Sequence, residues 1–424
     1  MKEYRKRIAD DILREKLEGK GAVLIEGPKW CGKTTTAEQT AASVLYMDDP
    51  SNIGQNISLA QISPGKLLAG KTPRLIDEWQ IAPKLWDAIR FETDHRGEQG
   101  QFILTGSAVP PDTDEIKHSG TGRFSFMLMR TMSLYESGES SGEVSLADLF
   151  ASPESINGSS DCDIDKLAFL VCRGGWPQAV GMRDKIALQQ AVDYCDGVIR
   201  SDINRADNVN KNPERVKRLM RSFARAQGSQ TPISVIADDI SANEGSSLSD
   251  DSVARYIEAL KKIFVIEDMP AWNVNLRSKT AIRTSDTRYY TDPSIAAAML
   301  GLGPKDLIAD LYTFGFLFET LAVRDLRVYA DSLGGGVYHY RDKDGLECDA
   351  VIHLRNGAYG LVEIKLGGDK LIEEGVASLK TLAAKIDTSK SPAPSFLAVL
   401  TGTGNYAYRR KDGVYIIPVS TLKN

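Results

Sequence analysis

Short apolar runs alternate with helical patterns between residues 21 and 130. The runs AVLIEG, SVLYMDD, PRLIDEW and QFILTGS are rich in β-forming residues and end in polar or turn residues. Nearly continuous apolar strands separated by helices indicate a parallel sheet that is covered on both faces. The pattern therefore predicts an α/β core in this part of the chain.

The pattern changes after residue 135. Residues 136 to 160 are rich in Ser, Gly and acidic residues, which is typical of a linker or a mobile surface segment. Helical patterns then dominate to about residue 290, and from about residue 291 helices come first and strands follow. We expect domains at 1–135, 136–215, 216–290 and 291–424.

Composition and charge narrow the class of protein. Hydrophobic residues make up 42% and charged residues 26% of 424 residues, which is the mixture of a soluble globular protein. No apolar run approaches the ~20 residues that span a bilayer. The N-terminus is charged throughout and lacks the apolar region of a signal peptide, so we expect an amphipathic helix, a cytoplasmic location and no membrane partner.

The five cysteines are scattered without paired spacing, at Cys31, Cys162, Cys172, Cys195 and Cys348. This pattern argues against a disulfide framework and against a zinc site. The net charge of −5 gives no attraction of the whole molecule to nucleic acid, so such binding would need a local basic patch.

The stretch IEGPKWCGKTTTAEQ fits the phosphate-loop pattern G-x-x-x-x-G-K-[ST], and it lies between an apolar strand and a helical pattern. Backbone N–H groups and the helix N-terminus of such a loop bind phosphate oxygens. Lys33 is expected to reach the β- and γ-phosphates of ATP, and Thr34 to bind Mg²⁺. The expected nucleotide contacts are Gly27, Pro28, Lys29, Trp30, Cys31, Gly32, Lys33, Thr34, Thr35, Thr105, Ser107 and Arg123.

An acidic pair follows the strand in PRLIDEW. Asp77 is placed to hold Mg²⁺, and Glu78 to orient and activate the attacking water, although a surface acidic pair would look the same. In FILTGSA either Thr105 or Ser107 is a candidate to sense the γ-phosphate. Taken with Lys33, these residues predict hydrolysis of ATP rather than binding alone.

Two arginines follow the Gly-rich turn in HSGTGRFSFMLMR. Arg123 or Arg130 would neutralise charge in the transition state, in its own subunit or in a neighbouring copy of a homo-oligomer. Ordinary surface or ion-pairing roles explain both arginines equally well.

At this point the chain resembles a known group. GAVLIEGPKWCGKTTTAEQ, PRLIDEWQIAPKLWDAIRFETD, FILTGSA and RTMSLYESGES are similar to AAA-type ATP-binding proteins of bacteria and archaea. RGGWPQAV and FGFLFETLAVRDL are similar to the uncharacterised domain that forms their C-terminal half. The resemblance implies a P-loop NTPase core with a parallel sheet, then a mostly helical winged-helix region, then an α/β restriction-endonuclease-like domain.

The middle region contains a helix-turn-helix candidate. TPISVIADDI and SDDSVARYIEALKKI predict two helices, Ser249 or Asp250 would cap the second, and FVIEDM is a short strand that begins a wing. The second helix is electrostatically poor for DNA, whereas the preceding RADNVNKNPERVKRLMRSFAR carries seven Lys or Arg against two acids. The region is expected to bind DNA through this winged helix or, alternatively, to dock a protein.

The last candidate site is a hairpin. In ECDAVIHLRNGAYGLVEIKLG two strand patterns flank the turn signal Asn356-Gly357, yet the strands carry Asp349, Glu363 and Lys365. Glu363 and Lys365 are two apart and therefore share a face. The apolar helix pattern FGFLFETLAVRDL carries a further charge, Glu319. Such charges are costly in apolar elements unless they are paired or bind a metal.

Asp followed by Glu-x-Lys on a hairpin, after a helix Glu, resembles the PD-(D/E)xK restriction-endonuclease-like family, although Cys348 replaces its Pro. The resemblance implies that Asp349 and Glu363 bind Mg²⁺ or Mn²⁺, with Glu319 completing the shell. It implies that Lys365 orients the attacking water in phosphodiester hydrolysis. The alternative is a buried ionic network in a fold that no longer cuts.

Three functions remain open from the sequence. The first is an ATP-gated enzyme that acts on DNA. The second is a nucleotide-switched regulatory or scaffold ATPase whose winged helix docks a protein. The third is an ATPase whose nuclease-like fold only binds nucleic acid.

Overall fold

The computed structural model describes residues 3–106, 116–152, 156–206, 209, 211–241, 249–272, 285–389 and 391–424. The chain forms two compact units. The first consists of Met1–Thr131, Arg200–Lys211 and Glu258–Val265, and the second of Met132–Ile199, Asn212–Ile257 and Ile266–Asn424.

The α-helices of the described residues, in chain order, are α1 Ile8–Gly19, α2 Lys33–Glu38, α3 Ile53–Ile62, α4 Gly65–Leu68, α5 Leu85–Arg96, α6 Leu134–Ser137, α7 Leu146–Ala151, α8 Ile164–Arg173, α9 Asp184–Gly197, α10 Ile203–Arg205, α11 Pro213–Arg225, α12 Ile233–Ser241, α13 Asp250–Lys262, α14 Pro293–Leu300, α15 Pro304–Ala309, α16 Leu311–Ser332 and α17 Asp369–Lys385. A π-helical turn, Val198–Asp202, joins α9 to α10. Within the described ranges, none of these helices has the length and apolar character needed to cross a bilayer.

The strands are β1 Ala22–Glu26, β2 Ser43–Tyr46, β3 Arg74–Asp77, β4 Phe102–Thr105, β5 Phe124–Leu128, β6 Val144–Ser145, β7 Gly158–Ser159, β8 Gly335–Arg341, β9 Glu347–Leu354, β10 Tyr359–Lys365, β11 Phe396–Thr401, β12 Tyr406–Arg409, β13 Tyr415–Pro418 and β14 Leu422–Lys423.

The first unit is built on a five-stranded sheet in the order β2-β3-β4-β1-β5, with every pair parallel. Leu13 and Leu17 of α1 pack with Ile103 on one face. Trp86 and Ile89 of α5 pack with the residues of the other face. The predicted parallel sheet covered on both faces is confirmed, and β5 is a strand that the sequence pattern did not predict.

The second unit contains a seven-stranded sheet in the order β7-β12-β13-β11-β10-β9-β8. The predicted hairpin is confirmed, because β9 and β10 are antiparallel and Gly357 turns between them with φ +89°. Helix α16 contacts β8, β9 and β10, and α17 contacts β9, β10 and β11. The hairpin therefore lies between two helices, and α16 carries Glu319.

Residues 136 to 160 are not a free linker. Within this segment β6 pairs with β14, and β7 pairs with β12. Ser145 of this segment caps a helix, since its Oγ accepts from Asp148 N–H at 3.3 Å; Ser133, just before the segment, does the same, since its Oγ accepts from Glu136 N–H at 3.2 Å. Residues of a composition typical of linkers here form short strands and cap a helix.

The middle region has the three expected helices, α11, α12 and α13. Ser249 caps α13, since its hydroxyl accepts from Ser252 N–H at 3.3 Å. After α13 the chain makes single antiparallel pairings, Ile266 with Tyr290 and Met269 with Thr287. The turn expected between the two helices, residues 242–248, lies outside the described residues, as do residues 273–284.

Candidate functional sites

The phosphate loop runs between β1 and α2. Gly27 has φ +146°, and a Cβ at this position would lie 2.1 Å from the carbonyl oxygen of Met129. Gly32, also at positive φ, begins α2. Lys33 Nζ donates to the carbonyls of Gly27 and Pro28 at 2.8 Å each. The ammonium therefore lies across the loop, where its charge is available to phosphate.

The first turn of α2 and the ends of the parallel strands β3 and β4 bring Thr34, Asp77 and Thr105 together. Thr34 Oγ1 donates to Asp77 Oδ1 at 2.8 Å, and Thr105 Oγ1 donates to the same oxygen. Burial raises the pKa of Asp77, and these two hydrogen bonds oppose the rise. An adjacent hydroxyl and carboxylate are a donor set that suits Mg²⁺, so the residues present fit this ion.

Glu78 follows Asp77 with a left-handed backbone, φ +52°. Gln80 Nε2 donates to its carboxylate. Burial, followed by the charge of Asp77, raises the pKa of Glu78, whereas Lys33 lowers it. A carboxylate with a raised pKa is a better proton acceptor near neutral pH. Gln80 was missed in the sequence because no motif marks it.

The other predicted loop residues have varied surroundings. Lys29 Nζ pairs with Asp202 of the π-helical turn at 2.5 Å. Trp30 has φ +65° and is 52% exposed. Cys31 Sγ contacts the Met129 carbonyl at 3.3 Å, and Thr35 accepts a hydrogen bond from Gln39 through its carbonyl. Ser107 lies outside the described residues.

The two arginines lie at opposite ends of strand β5. Arg123 precedes β5, whose Phe124 pairs with Ala22, so it lies at the end of the sheet away from the phosphate loop. Its guanidinium pairs with Asp94 at 2.7 Å. Arg130 follows β5 at the end of the sheet near the phosphate loop, and its carbonyl accepts from Arg7 at 2.8 Å. The structure does not bring Arg123 to the phosphate loop of its own chain.

The hairpin charges lie together in the second unit. Lys365 Nζ lies 2.6 Å from Glu363 Oε2 and 2.9 Å from Asp349 Oδ2. The N–H of Ile364 donates to the same Asp349 oxygen at 2.7 Å. Ser378 Oγ of α17 donates to Glu363 Oε1 at 3.0 Å. The Lys365 ammonium thus lies between the carboxylates of Glu363 and Asp349, which together hold this positive charge.

Glu319 reaches the same cluster from α16. The hydroxyl of Tyr289, which is 1% exposed, donates to Glu319 Oε1. Protein surrounds Glu319, and the accessible surface it keeps faces a cavity that it lines with Asp349. Tyr289 was missed in the sequence, because it lies far from every motif residue and its role depends on tertiary contact.

The electrostatics of the cluster follow from its composition. Burial, followed by the charge of Asp349, raises the pKa of Glu319 to about 8. The same causes raise the pKa of Glu363, although its ion pair with Lys365 opposes them. We favour Glu319 as the protonated member, since Lys365 contacts Glu363 and Asp349 directly. Two of the three carboxylates contact the one ammonium, and Glu319 lines the same cavity as Asp349 without contacting that ammonium, so the cluster keeps a proton near neutral pH.

The metal ligands expected here are only partly assembled. Across the described residues, no three His, Cys, Asp or Glu side chains converge in a group that would hold a metal ion. Asp349 and Glu363 converge on Lys365 Nζ, which stands in for a cation, and Glu319 does not join them as a third ligand. Two carboxylates fit a weak divalent site rather than a complete one.

The cavity of the cluster has a volume of about 40 Å³. Glu319 and Asp349 line one part of it, and Gly228, Ser229 and Gln230 another. His339 and Tyr340 of β8 also line this cavity. The cluster is thus enclosed by residues from the middle of the chain as well as by the hairpin.

Family models divide the chain into three parts. Residues 19–138 match an AAA domain, residues 164–306 match a domain of unknown function (DUF8612), and residues 314–422 match another domain of unknown function (DUF4143). The first match agrees with the phosphate loop and the parallel sheet. This part of the chain is therefore an AAA-type domain of the P-loop ATPase class.

Two relatives of similar sequence are each named as an uncharacterized protein. One from Mycobacterium bovis and one from Mycobacterium tuberculosis are each 22% identical over 365 residues, which is 85% of this chain and 74% of theirs.

Similar solved structures include a Walker-type ATPase of Pyrococcus abyssi, with a TM-score of 0.42 and 14% identity over 70% of this chain and 96% of that chain. A RuvB variant of Thermotoga maritima has a TM-score of 0.26 and 17% identity over 62% and 88% of the two chains. A signal transduction ATPase with numerous domains from Pyrococcus horikoshii has a TM-score of 0.24 and 13% identity over 78% and 48%. At these scores the likenesses carry no argument about function.

Proposed function

We propose that this chain hydrolyses ATP at the phosphate loop and uses its hairpin carboxylates for Mg²⁺-dependent phosphodiester hydrolysis of DNA, gated by ATP. The observation that supports the ATPase most directly is the convergence of Thr34 and Thr105 on one oxygen of Asp77. The ends of β3 and β4 and the first turn of α2 thus meet at that carboxylate, and a hydroxyl beside a carboxylate suits the Mg²⁺ of Mg²⁺–ATP.

At the phosphate loop each residue has a defined task. Lys33 leaves the carbonyls of Gly27 and Pro28 and donates to phosphate oxygens. Thr34 and Asp77 hold Mg²⁺, which neutralises charge on the phosphates. Glu78 accepts the proton of the attacking water, helped by its raised pKa. The chain supplies no cis contact from Arg123, so a charge-neutralising arginine at that position would act on a neighbouring copy in a homo-oligomer.

At the hairpin, Asp349 and Glu363 would hold a divalent cation, Mg²⁺ or alternatively Mn²⁺, near the position that Lys365 Nζ occupies here. When bound, the cation would supply Lewis-acid activation of the phosphodiester. Lys365 then orients the attacking water and stabilises charge on the phosphate. Glu319 would complete the shell from α16 only after a rearrangement, because Tyr289 holds its carboxylate here. This assignment rests on the short contacts of one ammonium with two carboxylates.

DNA is expected to approach through the winged-helix-like middle region. Helix α11 exposes Lys217, Arg221 and Arg225 at intervals of four residues, on one face. Its opposite face packs through residues such as Phe223. A row of exposed cations along a helix is suited to phosphates. Arg225 already pairs with Asp239, so Lys217 and Arg221 are the stronger phosphate contacts.

Two assays test this proposal. ATP turnover is measured for the wild type, for Lys33→Ala and Glu78→Gln, and for the surface control Lys20→Ala. The first two variants should lose turnover, and unchanged turnover in Lys33→Ala would contradict the ATPase assignment. DNA and RNA cleavage is then measured with Mg²⁺ or Mn²⁺, with and without ATP.

For cleavage the critical variant is Glu363→Ala and its matched control is Glu373→Ala, which alters an exposed carboxylate on α17 that pairs with Arg410. Cleavage that disappears only in the first supports the nuclease. Absence of cleavage under every condition would contradict the nuclease and favour the second function, described next.

That second function is a nucleotide-switched regulatory or scaffold ATPase. The incomplete ligand set at the hairpin favours it, since no three-ligand group forms within the described part of the chain. The ion pair of Lys29 with Asp202 supplies a contact between the phosphate loop and the π-helical turn that nucleotide can alter. Nucleotide-dependent binding of a protein partner, without affinity for nucleic acid, would support this alternative.

A further inference from the structure

Two groups from outside the hairpin cover the Glu319 carboxylate. Tyr289 donates its hydroxyl to Glu319 Oε1. The α-carbon of Gly228 packs so closely that a Cβ there would lie 2.9 Å from Oε1 and 3.1 Å from Oε2. This carboxylate therefore meets these two groups as well as the cavity that it lines with Asp349.

The two covering groups belong to one small assembly. Gly228 N–H donates to the Arg288 carbonyl at 3.1 Å, and Arg288 N–H donates to the Ser229 carbonyl at 2.9 Å. Arg288 Nε donates to the Thr231 carbonyl at 2.7 Å. The turn Gly228–Gln230 and Tyr289 are thus tied together through Arg288. We call this set, Gly228–Gln230 with Tyr289, the cap.

The contacts of the cap with the nuclease-like part include two further groups. Arg327 of α16 lies over the ring of Tyr289, with its guanidinium carbon 5.7 Å from the ring centre. Gln230 Nε2 lies 3.4 Å from His339 Nδ1 of β8. These contacts, together with the hydrogen bond to Glu319, set how firmly the cap stays in place.

The space beneath the cap is too small for substrate. Its volume of about 40 Å³ holds a few water molecules, because one water needs roughly 10–15 Å³. A divalent cation with a phosphodiester needs far more room. Resting on the proposed nuclease function, we infer that the hairpin site is latent: the cap holds Glu319 away from metal and must be displaced before a phosphodiester enters.

Two substitutions loosen the cap by different means. Tyr289→Phe removes the hydrogen bond to Glu319 and keeps the ring. Gly228→Ala places a methyl group against the Glu319 carboxylate. The matched control for the first is Tyr290→Phe, because Tyr290 is equally buried and its hydroxyl donates to the Met220 carbonyl at 2.6 Å instead. The control for the second is Gly334→Ala, which has φ +67° and open space around it.

Cys348 reports opening without requiring any enzyme activity. It is 2% exposed and lines the cavity. Cys195, 3% exposed in α9, is the internal reference. The rate of iodoacetamide modification at each thiol is followed by peptide mass spectrometry at one fixed pH. We expect Cys348 modification to become at least tenfold faster in Tyr289→Phe and Gly228→Ala, with Cys195 and both control variants unchanged.

Unchanged Cys348 modification in both cap variants would overturn the inference, as would equal acceleration of Cys348 and Cys195, which reports general loosening. DNA cleavage measured on the same samples separates the two proposals. Faster modification of Cys348 without cleavage would support the cap and contradict the nuclease function. If the wild type cleaves DNA as fast as the cap variants and Glu363→Ala does not cleave, the nuclease function is supported and the cap is contradicted.

Discussion

Replacement of Glu319 by Gln should make the protein more stable at alkaline pH. The amide oxygen still accepts the Tyr289 hydrogen bond, while the ability to ionise is lost. Glu319 has a pKa raised from 4.5 to about 8 in the folded protein, mainly by burial and next by the charge of Asp349. The folded state therefore keeps a proton that the unfolded chain has already released, and stability falls as the pH rises through that window.

The size of the effect follows from the pKa difference. Each pKa unit corresponds to about 1.4 kcal/mol, and water in the cavity reduces the full value, so we expect about 3–4 kcal/mol. Below pH 4.5 the wild type and Glu319→Gln should be equally stable, because both side chains are then neutral in both states. Above about pH 8 the variant should be the more stable by the full amount.

The assay is urea unfolding followed by circular dichroism, in EDTA, at about pH 5, 7 and 9. Glu347→Gln is the matched control: it lines the same cavity and pairs with Arg341 at 3.0 Å, but its side chain is 52% exposed. Its stability relative to the wild type should not change with pH. Parallel pH curves for the wild type and Glu319→Gln would refute the assignment of the shared proton to Glu319.

Two further variants each test contacts within one of the two units. Arg324→Met should cost about 3–5 kcal/mol, because Asp292 and Asp325, both fully buried, would lose the guanidinium that lies 3.1 and 2.7 Å from them; urea unfolding measures the loss. Gly27→Ala should weaken ATP binding at least tenfold in a titration, because the new methyl group would overlap the Met129 carbonyl.

Each of these variants has a control within the chain. Arg225→Met removes an exposed ion pair and should cost no more than about 1 kcal/mol. Gly54→Ala lies in α3 with open space around the new Cβ and should leave ATP binding unchanged. Equal decreases in the free energy of unfolding for Arg324→Met and Arg225→Met would mean that the buried ionic network stabilises the fold no more than an exposed ion pair does.

Local patterns predicted the features that depend on a few neighbouring residues. The phosphate loop lies between its strand and helix as the spacing requires, and Asn356-Gly357 forms the predicted turn. Glu363 and Lys365 contact each other as the two-residue period of a strand demands. The assignment of these residues to metal binding and catalysis stays a prediction.

Features that depend on distant contacts were not predicted. Strand β5 was missed because it is an edge strand that follows a Gly-rich turn, and its Phe126 is 52% exposed. Tyr289 carries no motif and gains its role only where the chain returns to α16. The Ser-rich segment that contains β6 and β7 has a linker composition, yet partners far along the chain fix it in sheets.

The pairing of β6 with β14 also bears on how the chain folds during synthesis. Ser145 Oγ donates to the carbonyl of Asn424 at 2.9 Å, across 279 positions. Contacts of such separation form late, because the intervening chain must first be made and ordered. On the ribosome, β6 and β7 therefore wait with unpaired edges until β12 and β14 emerge. A chaperone that shields unpaired strand edges would be most useful to this protein during that interval.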